Sequence, residues 1–212
     1  MDATMHRHMQ ASIKYFQLPL LGMRKLEHLK KLKRGPQVIL PKDFGMIVAF
    51  TGIGKKSACI DAGSGSGWLA CMLGNICKRV VSYERREEFA ELARENVKRM
   101  GLKNVKVKLK DVFEGIDEKN VDLVVLDLAD AERAVAHAYK ALRQGGHLAA
   151  YLPHAEQVQK FVRECEAQQF GDIFTIECIV REMLAREHGF RPDTKGLWHT
   201  GYLSFAKKQG RA

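Results

Sequence analysis

The chain lacks the features that would tie it to a membrane, a disulfide framework or a metal. No apolar run in its 212 residues approaches the ~20 residues that a membrane span needs. Its opening stretch, MDATMHRHMQASIKYF, has no apolar h-region of a secretory signal, so a cytoplasmic protein is expected. The five cysteines are Cys59, Cys71, Cys77, Cys165 and Cys178. They form no CxxC pair and no Cys/His cluster at zinc spacing, so core thiols and no metal are expected. The eight histidines are scattered, with no HExxH. Internal repeats and low-complexity tracts are missing too.

What remains is an ordinary globular composition, 46% hydrophobic and 28% charged. The length suits one full domain with a small appendage. Charge is the departure from the ordinary. The formal net charge is +10, and it is unevenly spread. Residues 1–34 hold Arg7, Lys14, Arg24, Lys25, Lys30, Lys31, Lys33 and Arg34 against only Asp2 and Glu27. A basic arm beside a ligand-binding domain suggests a polyanionic partner such as nucleic acid. A solvated basic helix face has the same composition. The boundary is expected near Gly35-Pro36, giving a basic, helical segment over 1–35 and a second domain over 36–212.

Segments alternate in type from residue 44 onward. Helical patterns cover 44–50, 68–77, 86–100, 131–142 and 155–169. Apolar or β-branched runs cover 57–61, 79–83, 104–109, 121–126 and 147–152. The tail differs. Runs at 174–180 and 200–205 have no helix between them, only a loop containing RPDTKG, and can pair antiparallel. The expected fold is a three-layer α/β/α sandwich. Its seven-stranded, mostly parallel sheet ends in an antiparallel hairpin, and ligands sit at the carboxyl ends of the strands.

The segment CIDAGSGSGWLA (59–70) runs from strand to glycine loop to helix. A dinucleotide fingerprint reads GxGxxG, with a pyrophosphate facing the helix N-terminus. Here Gly63, Gly65 and Gly67 give GxGxG, with Ser64 between the first two. Asp61 stands two residues before the first glycine. A pyrophosphate is repelled by that carboxylate, whereas an ammonium group is attracted. This favours S-adenosylmethionine, which carries an amino-acid end and a sulfonium. Glu84 ends the second strand, where an acid can take both ribose hydroxyls. Asp111 follows the third strand, where it can accept from an adenine amino group between Val112 and Phe113. Each acid alone can also be a helix cap. Three at strand ends of one sheet point to a cofactor site. Asp127 ends the fourth strand and is placed to touch an acceptor base, unless it too is a cap.

This pattern resembles the class I, Rossmann-like methyltransferases. Four stretches narrow the resemblance: KLKRGPQVILPKD (31–43), SYERREEFAELARENV (82–97), LDLADAE (126–132) and RPDTKGLWHTGYLSFAKK (191–208). With Tyr151-Leu-Pro153-His-Ala-Glu-Gln157, they are similar to the tRNA adenine-58 N1-methyltransferases. The resemblance implies S-adenosylmethionine as cofactor, tRNA as partner and a tetrameric or dimeric homo-oligomer. It implies that Asp127 and Tyr151 are catalytic. It implies cofactor contacts at Gln37, Gly63, Ser64, Gly65, Gly67, Glu84, Asp111 and Asp127. Arg191 and His199 are expected either to meet phosphate or base, or to serve as a hairpin salt bridge and a core histidine. Two departures stand out: Leu40 replaces the family's tyrosine, and Ala129 and Ala131 replace the prolines of L-D-L-P-x-P. The residues alone also fit a precorrin-type or isoaspartyl-type methyltransferase, or a non-catalytic cofactor-binding subunit.

Overall fold

The computed structural model describes residues 31–210 apart from 34, 36, 37, 187, 188, 195 and 197. Gln37 and nearly all of the segment 1–35 therefore lie outside the described residues.

Among the described residues, five helices and nine strands follow in chain order, with two 3-10 turns. The helices are α1 (Pro41–Thr51), α2 (Trp68–Ile76), α3 (Glu87–Arg99), α4 (Val135–Ala141) and α5 (Ala155–Ala167). The strands are β1 (Ala58–Ala62), β2 (Arg79–Glu84), β3 (Val105–Leu109), β4 (Val121–Leu126), β5 (Leu142–Leu152), β6 (Phe170–Glu177), β7 (Met183–Arg186), β8 (Gly189–Pro192) and β9 (Tyr202–Lys208).

Local chemistry explains the ends. Pro41 opens α1, where its missing N–H is not needed, and Gly52 closes it in the left-handed conformation. In α3, Glu87 and Glu88 fill the first turn and Lys98 and Arg99 the last, each complementing the helix dipole.

Seven strands form one sheet in the order β3-β2-β1-β4-β5-β9-β6. β1 to β5 run parallel, and β9 lies antiparallel between β5 and β6. Ile60, Val124, Leu148 and Leu126 point to one face and pack with Val135 and Ala138 of α4 and Phe161 and Cys165 of α5. Cys59, Leu123, Val125, Ala149 and Tyr151 point to the other and pack with Ile47 of α1 and the buried side of α2. The expected three layers are present.

Three local readings change. The stretch between β6 and β9 was expected to be a loop, yet it carries the separate two-stranded hairpin β7–β8. Its four-residue strands are too short to show a period. Strand β5 starts at Leu142, before Gly145-Gly146, because Val121 pairs with Leu142 and Leu123 with His147. Residues between them bulge out, with Gly145 in the left-handed region. The helix expected over 131–142 begins as a 3-10 turn, Ala131–Ala134.

Two residues before the expected domain boundary are docked on the sheet domain. Leu32 is buried in the α1/α2 core. Lys33 donates its N–H to Asn96 Oδ1 at 2.9 Å, and its carbonyl accepts from Asn96 Nδ2 at 2.8 Å.

Candidate active site

A cleft of about 440 Å³ opens at the carboxyl ends of β1, β2, β3 and β4. Gly63, Gly65, Glu84, Asp111 and Asp127 line it, together with Val112 and Phe113. These are sequence-expected residues. Arg85, Arg86, Phe89, Lys110, Leu128 and Ala129 complete the wall without having been singled out. The SYERREEF stretch carried five of the site's residues, Tyr83, Glu84, Arg85, Arg86 and Phe89, but only its acid had an assigned chemistry.

Glu84 organises the loop around it. Its Oε1 accepts the backbone N–H groups of Arg85 and Arg86, both at 3.1 Å, and its Oε2 accepts that of Gly65 at 3.0 Å. A carboxylate has about four lone-pair positions, so Oε2 keeps room for one further donor at the cleft. Asp111 Oδ1 caps the turn Val112–Glu114 by accepting from the Phe113 N–H at 2.9 Å. Its Oδ2 faces Arg85 Nη1 at 3.8 Å. Capping and cleft-lining therefore coexist in one side chain. Phe113 is held from behind by the Arg133 guanidinium, 4.3 Å from its ring centre.

Beneath the glycine loop lies a buried polar chain. Asp61 Oδ2 accepts from Ser82 Oγ at 2.6 Å, and Ser82 and Ser64 share a hydrogen bond of 2.5 Å. Ser64 thus anchors the loop from below and is not among the lining residues. Asp61 Oδ1 is buried with no hydrogen-bond partner among the described residues. Burial pushes the Asp61 carboxyl up to about 7, with the Ser82 bond opposing and the charges of Asp127 and Glu84 adding to it.

The glycines divide the work. A Cβ on Gly63 would stand 3.3 Å from Leu128 and 3.6 Å from Glu84 Oε2, so its bareness keeps the cleft floor open. Gly67 caps α2 at φ 75°, and a Cβ there would meet Ala93 of α3 at 3.0 Å. Gly67 is where two helices touch.

Asp127 extends β4 into the cleft. Its N–H donates to Ala62 O at 2.5 Å, which ties the ends of β1 and β4 together. Burial pushes its carboxyl up to about 7. The loop that follows lacks prolines, yet it is tethered. Gln157 Nε2 donates to Ala129 O at 2.9 Å, while Gln157 Oε1 accepts from the His154 N–H at 3.1 Å.

Three expected residues stand off the cleft. Tyr151 is buried, 2% exposed, and its hydroxyl donates to Thr200 O at 2.6 Å. It is the cross-strand neighbour of Asp127, since Leu126 pairs with Ala150, but it faces the α1 side instead of the opening. Burial, then the charges of Asp43 and Asp127, hold its hydroxyl well above the usual tyrosine range. His199 bridges Glu177 Oε1 at 2.6 Å and Pro153 O at 3.0 Å. Arg191 lies exposed in β8 and donates to its neighbour's carbonyl. The structure thus does not bring Tyr151, His199 or Arg191 to the cleft.

The arrangement is a glycine-floored slot with Glu84, Asp111 and Asp127 at its wall and Asp61 buried beneath it, the carboxyls of Asp61 and Asp127 both raised to about 7. Such a slot suits a nucleoside bearing a positive charge. Residues 26–196 match the family described as tRNA methyltransferase complex GCD14 subunit.

The chain belongs to this family.

A curated relative, the tRNA (adenine(57)-N(1)/adenine(58)-N(1))-methyltransferase TrmI of Methanocaldococcus jannaschii, is 39% identical over 209 residues, covering 84% of this chain and 74% of its own length. A solved S-adenosylmethionine-dependent O-methyltransferase from Thermotoga maritima superposes with a TM-score of 0.82 at 33% identity, covering 88% of this chain and 71% of that one. The tRNA (m1A58) methyltransferase TrmI from Aquifex aeolicus gives 0.79 at 28% identity, covering 85% and 73%. The chain has the fold of an S-adenosylmethionine-dependent methyltransferase and belongs with enzymes of that class. The family resemblance in its motifs is borne out.

Proposed function

We propose that this GCD14-family chain methylates N1 of an adenine in tRNA, at position 58 of the T-loop, using S-adenosylmethionine. The observation that carries the reading is Asp127: a carboxyl at the end of β4, at the mouth of the glycine-loop cleft, with its pKa raised to about 7. The names of the Methanocaldococcus and Aquifex relatives support the acceptor.

The residues present fit the cofactor. Asp61 Oδ1 is an unpartnered buried acceptor under the loop, suited to the amino-acid end. The free lone pair of Glu84 Oε2 suits a ribose hydroxyl, and Asp111 with Val112 and Phe113 suits adenine. Gln37 joins this set on the family resemblance. Bound S-adenosylmethionine supplies an electrophilic methyl on a sulfonium.

This chain's residues do the rest. Asp127 accepts an N–H from the exocyclic amine of the acceptor adenine, which raises the basicity of N1 and orients it. The N1 lone pair forms the new N–C bond as the S–C bond breaks, and the positive charge passes to the base. Acids at the cleft stabilise that charge where it develops. Placement of the acceptor supplies much of the acceleration. N1 lies on the pairing edge of adenine, so the base must leave its stack to reach the cleft. Tyr151 acts as a positioning residue behind Asp127. Arg191 and His199 sit outside the cleft, where phosphate contact remains open to them.

The wider organisation belongs to the same proposal. A basic segment over 1–35 gathers RNA beside the catalytic domain, 36–212, in the cytoplasm. Among the described residues no helix is long and apolar enough to cross a membrane. Ile179, Val180, Met183, Phe190 and Trp198 are exposed on and around the β7–β8 hairpin, with Phe190 71% exposed. Exposed apolar side chains this close in sequence are in keeping with a homo-oligomer, dimer or tetramer. The test is incubation of the chain with methyl-labelled S-adenosylmethionine and unmodified tRNA. Labelled 1-methyladenosine is expected. Transfer only to a small or protein acceptor would overturn the RNA reading.

A further inference from the structure

A second polar cluster lies at the start of α1, built from residues that do not line the cleft. Lys42 and Asp43 open α1, and their charged groups meet at 2.8 Å with side-chain exposures of 5% and 0%. The Lys42 ammonium has three donors, and all three are used. Besides Asp43 Oδ1, it donates to Cys178 O at 2.6 Å and to Thr200 Oγ1 at 2.8 Å. Lysine is almost never this deeply buried unless paired. Replacing such a pair by apolar residues of similar volume is often neutral for stability. Stability alone therefore does not explain its presence.

The contacts of Lys42 define what it does. Thr200 is held twice, its side chain by Lys42 and its carbonyl by the Tyr151 hydroxyl. The Tyr151 ring lies close over the next residue, where a Cβ on Gly201 would stand 2.8 Å from Cζ. On the other side of Thr200, His199 grips Pro153 O. Pro153 leads into α5, whose Gln157 holds Ala129 O in the cleft wall. A continuous set of packed and bonded groups runs from α1 through residues 199–201 to the loop beside Asp127.

We propose that the buried Lys42–Asp43 pair positions the acceptor wall of the cleft, by locking residues 199–201 and Tyr151 against the strand that carries Asp127. The pair touches neither cofactor nor base. It acts through Thr200 and Tyr151, and its loss leaves the glycine loop, Glu84 and Asp111 in place. This inference rests on the methyltransferase reading above.

The experiment uses the full chain as the double variant Lys42→Met/Asp43→Leu, which replaces the ion pair by apolar side chains. Three quantities are measured: melting temperature, S-adenosylmethionine affinity by calorimetry, and kcat on unmodified tRNA. The expected result is a wild-type-like melting temperature and cofactor affinity with kcat reduced about a hundredfold, the size of effect a misplaced reacting group produces. Wild-type kcat in the folded double variant overturns the inference. If that variant does not fold, Thr200→Val removes one acceptor of Lys42 and keeps the ion pair. Its kcat is then expected to fall about tenfold with cofactor affinity unchanged, and Thr200→Ser is expected to restore it. An unaltered kcat in Thr200→Val overturns the proposal equally. If the wild-type chain itself forms no 1-methyladenosine, the functional reading fails and takes this inference with it. If wild type is active and the variants match it, this inference alone fails.

Discussion

On the proposed reading, Asp127 is the residue on which the chemistry turns. Its carboxyl is placed by the Ala62 bond at the end of β4 and pushed up to about 7 by burial. Asp127→Ala is expected to lower the rate of transfer by about two to four powers of ten while S-adenosylmethionine affinity stays within a few-fold. Single-turnover kinetics and calorimetry check the two halves separately. The ionised form is the useful one, so kcat rises with pH through about 7, and Asp127→Asn flattens that rise. Stability moves the opposite way. A carboxyl whose folded pKa is raised from 3.8 to about 7 binds a proton in the native state that the unfolded state has lost. The fold therefore weakens as pH rises through that window. Gln157 is the second test at this scale. With prolines absent from LDLADAE, its bond to Ala129 O is a side-chain tether on the loop. Gln157→Ala is expected to raise KM for tRNA several-fold and to leave cofactor affinity unchanged, read from steady-state kinetics. Glu84, Asp111 and Asp127 were legible as a cleft because they recur at successive strand ends of one sheet, although each alone could be a cap, as Asp111 also is. The facing of Tyr151 toward α1 was not legible, because a β5 residue faces one side or the other by parity alone, and parity does not say where the hydroxyl is spent.

At the scale of elements, the glycine loop is a joint between helices as much as a ligand cradle. Gly67 lets α2 pack on Ala93 of α3 at contact distance. Gly67→Ala is expected to lower stability by about 1–3 kcal/mol, from a strained left-handed residue and an overpacked contact. It should weaken cofactor binding at the same time, because α2 carries the loop. Thermal melts with and without S-adenosylmethionine check both. Most elements could be read from the sequence. Strand β4 is apolar nearly throughout and buried on both faces, and α3 has apolar and charged faces with charges at the correct ends. The β7–β8 hairpin could not be read, since four-residue strands carry no period. The early start of β5 was hidden because Gly145-Gly146 signals a stop and here forms a bulge inside the strand.

At the scale of the whole molecule, charge and fold point to one partner. A net charge of +10 supplies sequence-independent affinity for RNA, and that part is released by salt. Raising salt from about 50 to 200 mM is expected to weaken tRNA binding by at least about tenfold, with cofactor binding unaffected, as filter binding and calorimetry can show. The account as a whole stands on the identity of the methylated atom. The most direct test maps the methyl in tRNA treated with this chain and S-adenosylmethionine, by mass of nuclease fragments and of the released nucleoside. The account predicts 1-methyladenosine in the T-loop fragment at position 58, formed by wild type and missing with Asp127→Ala. A methyl on another base, or the same yield from Asp127→Ala, would contradict it.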